Sequence, residues 1–179
     1  MKLSICINTP EDSSGADDAD SNTTIPNHPE IQQIITESEN IAQVLEKYLE
    51  ELYPDSKLYE AAEISLSFMS PEEIRALNRE YRNVDEATDV LSFPLLDEEP
   101  VNAFCKPELP VLSLGDIVIC PEETVRLHAE LSLHEAVCLM ISHSFLHLLG
   151  YDHENEETQS EMWALQEEIT AKILGRVSA

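Results

Sequence analysis

Apolar and polar residues alternate in KLSICIN (2–8), which predicts a first strand. From Pro29 the period changes. Ile31, Ile34, Ile35, Ile41, Leu45, Tyr48, Leu49 and Leu52 fall at helical spacing, so an amphipathic helix is expected over 30–52, ended before Pro54. EISLSFM (63–69) returns to a period of two and reads as a strand. SPEE (70–73) starts the next helix, with Ser70 as N-cap, Pro71 at the first position and Glu73 at the capping-box position. That helix runs to about Arg82 and gives way to the loop NVDEATD (83–89). VLSFPLL (90–96) is a short extended segment limited by Pro94, and LGDIVIC (114–120) is an apolar strand.

PEETVRLHAE (121–130) reads as a helix. SLHEAVCLMISHSFLHLLG (132–150) is a second one, with Ser132 as N-cap, Glu135 in the capping box and Gly150 as the C′ stop. Met162, Leu165, Ile169 and Ile173 mark a last helix within 154–175. Two stretches have no such period. The residues after Asn8, up to His28, are rich in Ser, Asp, Thr and Pro and form a flexible acidic insertion. Residues 97–110 are irregular. Strands and helices mix without strict βα alternation. The expectation is an α+β fold: one domain over 1–179, with a single small mixed sheet of about four strands covered by several helices.

Composition narrows the function classes. A hydrophobic fraction of 42% supports a sizeable core. The formal net charge is -26, which argues against simple electrostatic adhesion to nucleic acid or an anionic membrane. Cys6, Cys105, Cys120 and Cys138 are scattered without CxxC spacing, so neither a zinc ribbon nor a disulfide framework is indicated. No apolar run reaches membrane-spanning length, and the N-terminal apolar stretch is too short for a secretory signal. These features read as a cytoplasmic protein with reduced thiols.

HSFLHLLGYDH (143–153) then stands out. His143 and His147 are four apart, so both lie on one helix face, continuing a stripe from Ala136 and Met140. Buried imidazoles need partners, and a metal ion satisfies several at once. Gly150 ends the helix and lets His153 fold back toward the same point. Three neutral imidazoles leave a coordination position open, as in a catalytic zinc site; imidazole also suits nickel, copper and iron. His28, His128 and His134 have no such company and read as surface or packing residues. The spacing equals that of the metzincin proteases, HExxHxxGxxH, but Ser144 occupies the position of their catalytic glutamate. A serine cannot serve as a base near neutral pH, so the protease reading falls.

Upstream, Arg75, Arg79 and Arg82 share a helix, three of only ten basic residues. Arg is suited to bidentate phosphate contact, whereas Arg75 and Arg79 also fit a solvated face paired with Glu72, Glu73 and Glu80. Thr88 and Asp89 suit a turn before the next strand. LNREYRNVDEATDVLSFP (77–94), LGDIVIC, HSFLHLLGYDH and MWALQEEI (162–169) occur in this order. Together they resemble the YbeY family of metal-dependent single-strand endoribonucleases, also called rRNA maturation factors. The likeness covers about 63–175, the core carrying the motifs.

The resemblance implies a small sheet with several helices. It implies one zinc ion per chain held by His143, His147 and His153, and a catalytic role for Arg82. It implies action on single-stranded RNA, notably small-subunit ribosomal RNA, in rRNA maturation and ribosome quality control. Ribosome-associated proteins would be partners; a membrane or DNA would not. A weakly catalytic assembly factor with a structural metal is the alternative, and the strongly acidic composition suits it because affinity would then come from partners. Candidate general bases are Asp152, Asp116 and Asp89. Three positions depart from the family pattern: Ser144 for a glycine, Ala87 for a proline, and Gln166 where a glutamate is expected, with Glu167 adjacent. The acidic insertion after Asn8 also looks non-standard.

Overall fold

The computed structural model describes residues 1–8, 28–96, 110–153 and 155–176. The predicted irregular stretches lie outside these residues over 9–27 and 97–109. Strands β1 (Lys2–Asn8), β2 (Ala61–Phe68), β3 (Val90–Pro94) and β4 (Val111–Ile119) form one sheet in the order β1-β2-β4-β3. β1–β2 and β2–β4 pair parallel, and β3 pairs antiparallel with β4. Helices α1 (Pro29–Leu52), α2 (Pro71–Arg82), α3 (Pro121–Leu127), α4 (Leu133–Leu148) and α5 (Glu156–Ile173) accompany it. The predicted α+β class with a four-stranded mixed sheet is the observed one.

The helix ends follow local chemistry. His28 Nδ1 accepts from Glu30 N at the start of α1, and Pro29 opens the helix. Ser70 with Glu73, and Ser132 with Glu135, form complete capping boxes on α2 and α4. α1 buries Ile31, Ile34, Ile41, Leu45 and Leu49 in one core with Ala62, Ile64, Leu66 and Phe68 of β2 and Leu112, Leu114, Ile117 and Ile119 of β4. Met162 and Ile169 of α5 complete this core. On the other face of the sheet, Ile74 of α2 packs with Leu91, Val118 and Cys120.

β2 begins at Ala61 rather than at residue 63, and two further boundaries differ from the sequence expectation for a physical reason. β4 begins at Val111 rather than at residue 114. Its register against β2 shifts between Glu63 and Ile64, and Gly115 sits at the irregularity with φ +138°. The inward positions therefore change phase from Leu112 and Leu114 to Ile117 and Ile119, which hides the strand from a period-of-two search. α3 stops at Leu127 rather than at residue 130, because His128 leaves helical geometry (φ -121°, ψ 48°).

α4 is the central element. Eleven of its sixteen residues are buried, so it is apolar nearly all round rather than along one stripe. His143 and His147 fall where that burial lapses, facing the rim of the sheet at β3.

Candidate metal centre and cleft

The three predicted histidines meet. One ring nitrogen from each of His143, His147 and His153 lies within 4.8 Å of the other two. The end of α4 makes this possible. Gly150 N donates to His147 O, and Tyr151 N donates to Leu146 O, with Gly150 at φ +86°. That is a Schellman cap, in which glycine takes the left-handed position and reverses the chain. The reversal returns His153 to the two helical imidazoles. It also aims the Tyr151 carbonyl at His147, whose Nδ1 lies 2.9 Å away.

Each helical imidazole is oriented by a partner behind it. His147 Nδ1 donates to Tyr151 O, and His143 Nδ1 donates to Gln166 Oε1 at 2.8 Å. These bonds place the proton of each ring on Nδ1 and leave both Nε2 lone pairs unprotonated. The two Nε2 atoms face each other at 3.1 Å. Two lone pairs at that separation repel unless a cation lies between or beside them. Burial lowers both pKa values below the ordinary histidine range, so the rings are neutral at pH 7, the form that binds metal. Donor type, tautomer and convergence all fit a borderline metal such as zinc, and the open side faces a cleft.

The cleft has a volume of about 250 Å³. Around the histidines its walls are Asn78 and Arg82 of α2, Thr88, Val90 to Ser92 of β3, and Asp152. Asn83 ends α2 in the left-handed region, and Asn78 Nδ2 donates to Glu86 O to hold the loop behind Thr88. Arg75 makes a bidentate pair with Asp85 at 2.9 and 3.0 Å, and Arg79 reaches the same carboxylate at 3.6 Å. Their partner is therefore Asp85 and not the expected Glu72, Glu73 and Glu80. Among the described residues Arg82 has no ion-pair partner and stands in the cleft wall.

The candidate bases separate. Asp152 lines the cleft, and its Oδ1 accepts from His153 N at 2.6 Å. Asp116 is in register with Ser65 and Phe93 and shares the face of β4 that carries Val118, opposite the α4 side; it does not line the cleft. Asp89 is engaged on both oxygens. Oδ1 accepts from Thr88 Oγ1 and Val90 N, and Oδ2 lies 3.0 Å from His128 Nε2. The remaining histidines stay outside the cluster: His134 pairs with Glu37 at 2.9 Å, and His28 caps α1.

Sequence reasoning missed Gln166 as an imidazole partner, although its place in the pattern was noted. It also missed the Asp89–His128 pair, for which no local signal exists because the two are 39 residues apart. Ser144 is fully buried, and its Oγ has no hydrogen-bond partner; α4 continues unbroken through it.

Comparisons with known proteins agree with this geometry. The family model described as endoribonuclease YbeY matches residues 25–174. A relative from Clostridioides difficile, named endoribonuclease YbeY, is 48% identical over 113 residues, covering 62% of this chain and 71% of its own. A Clostridium perfringens protein of the same name is 36% identical over 76% of this chain and 89% of its own. One from Thermoanaerobacter is 38% identical over 76% and 91%. With its three histidines, its cleft and a family match that spans most of its length, this chain belongs to the endoribonuclease YbeY family.

Proposed function

We propose that the protein is a zinc-dependent, single-strand-specific endoribonuclease that acts in the cytoplasm on small-subunit ribosomal RNA. The carrying observation is the pair of unprotonated Nε2 atoms of His143 and His147, 3.1 Å apart at the mouth of a cleft that also holds Arg82. His143, His147 and His153 are the proposed ligands of one zinc ion per chain.

When bound, the metal would supply Lewis acidity toward a phosphoryl oxygen and would lower the pKa of water so that hydroxide, the nucleophile, forms near neutral pH. The chain's own residues do the rest. Arg82 holds the scissile phosphate and stabilises the charge that builds on it. Asp152, exposed on the cleft wall, accepts a proton or fixes the His153 backbone for coordination. Asp116 is left without a role in the cleft, given its face of the sheet. The net charge of -26 supports a partner such as the ribosome for most of the RNA affinity.

The test is His147→Ala with zinc content and cleavage of a single-stranded RNA read together. Both are expected to fall. Zinc content that stays near one per chain overturns the ligand assignment. Metal-loaded wild-type protein that leaves the RNA intact overturns the nuclease reading and favours the weakly catalytic assembly factor.

A further inference from the structure

β3 is the edge strand of the sheet beside the cleft, and among the described residues no other strand pairs with its outer side. The parity of its ladder is fixed at both ends. Cys120 N donates to Asp89 O at 2.8 Å, and Leu95 N donates to Leu114 O at 3.0 Å. In an antiparallel pair, residues alternate between those whose N–H and C=O face the partner strand and those whose groups face away. Asp89 and Leu95 face β4, so Leu91 and Phe93 do too. Val90, Ser92 and Pro94 therefore point their main-chain groups off the open edge.

That edge is nearly stripped of donors. Pro94 has no N–H, and the Val90 N–H is taken by Asp89 Oδ1 at 2.9 Å. The Ser92 N–H remains, next to the Val90 carbonyl. Both residues line the cleft with the three histidines and Arg82. A peptide adding as a strand requires a run of alternating donors and acceptors. This edge offers one donor and cannot supply that run. It does offer outward carbonyls, and its one free donor lies next to that of Val90, pointing the same way.

We propose that the Val90 C=O and the Ser92 N–H receive the Watson–Crick edge of one unpaired base of the substrate RNA. The proposal rests on the endoribonuclease reading above. Each of the four bases carries a donor beside an acceptor on that edge, so this contact is indifferent to sequence. In a duplex the same edge is occupied by the pairing partner. Single-stranded loops and ends leave it free, and proteins commonly read RNA there. The contact thus positions the strand so that a neighbouring phosphate reaches Arg82, and it excludes paired RNA.

The experiment replaces the Ser92 amide by an ester, using the α-hydroxy acid analogue of serine, in the zinc-loaded full chain. The side chain is retained and the N–H is lost; the Leu91 carbonyl, which faces β4, becomes an ester and a weaker acceptor, so the melting midpoint of the variant is read alongside. The expected result is unchanged zinc content and a kcat/KM for a single-stranded oligoribonucleotide lowered about tenfold, the size of one lost hydrogen bond. An oligonucleotide with a single abasic position, moved stepwise along the strand, should lower wild-type cleavage by a similar factor at one position. At that position it should lower cleavage by the ester variant no further. A merely structural effect of the ester would add to the abasic loss at every position, and this would overturn the proposal. Full activity of the ester variant while the wild type cleaves also overturns it, leaving the nuclease reading intact. A wild type that cleaves no RNA removes both. Cleavage of an unfolded protein such as casein in place of RNA would assign the edge to a peptide and overturn the base contact.

Discussion

Gln166 Oε1 lies 2.8 Å from His143 Nδ1, so a residue of α5 fixes the tautomer of a candidate metal ligand on α4. Partners of this kind raise ligand basicity and restrict ring rotation, and their loss typically costs about 10–100-fold in metal affinity. Gln166→Leu is expected to weaken zinc binding by that factor. Gln166→Glu is expected to tighten it, because a carboxylate behind the imidazole strengthens the Nδ1 bond. Competition against a zinc chelator of known affinity decides. Equal affinity in the Leu variant would show that the hydrogen bond does not support the site.

Arg82 differs from its helix neighbours by what it lacks. Asp85 engages Arg75 and Arg79, whereas Arg82 stands in the cleft wall with no ion pair among the described residues. Arg82→Ala is expected to keep zinc and lose about 10²–10³ in kcat, the usual cost of removing one preorganised donor to a developing charge. Arg79→Ala, which removes only an exposed pair, should leave cleavage near wild type. Equal losses in the two variants would mean that the helix contributes general basic charge rather than one placed guanidinium.

Acid should destabilise the metal-free protein. Burial lowers the pKa of His143 and His147 in the folded state, while the unfolded chain titrates near the ordinary value of about 6.5. The unfolded state therefore binds more protons as pH falls through that value. Stability is full above it, declines through it, and levels off below the lowered folded values. Urea midpoints of the chelator-treated protein should fall between pH 7.5 and 5.5. Substituting both histidines with glutamine should flatten that part of the profile, and an unchanged slope would place the acid sensitivity elsewhere.

The site was legible where its logic is local. The spacing of His143 and His147, the stop at Gly150 and the return to His153 are all contained in one stretch of eleven residues. The partners that orient the rings are not. Gln166 arrives from a different helix, and Tyr151 contributes a carbonyl, which every residue has. The pair of Asp89 with His128 joins the residue before β3 to the residue after α3, 39 positions apart, so His128 looked isolated in sequence. The helices were legible from their caps, since a Ser followed three residues later by Glu states its own geometry. β4 was half legible, because the bulge at Gly115 moves its inward side chains out of phase.

Gly115 is also the position where one added methyl group should do most harm. It lies opposite Pro94 in the ladder, with φ +138°, a conformation that is essentially restricted to glycine. A Cβ there would run into the Phe93 carbonyl oxygen and come within 3.0 Å of Leu148 Cδ2. Phe93 belongs to β3 and Leu148 to the last turn of α4, the two elements that flank the histidines. Backbone strain and overpacking together predict a loss of roughly 2–6 kcal/mol for Gly115→Ala, or a melting midpoint lower by roughly 5–20 °C. Gly175 supplies the control. Its φ is +65°, but nothing lies within 4 Å of an added Cβ, so Gly175→Ala should cost only about 1–2 kcal/mol. Gly175 sits in the left-handed region that Asn83 also adopts at φ 58°, so it reports the ordinary cost of a positive φ. If the two variants melt alike, neither the φ of +138° nor the close approach at Gly115 adds a cost, and β3 is not wedged against α4. If Gly115→Ala melts well below Gly175→Ala, zinc affinity should fall with it, because the displaced strand and helix turn are the walls that hold His143 and His147 in place.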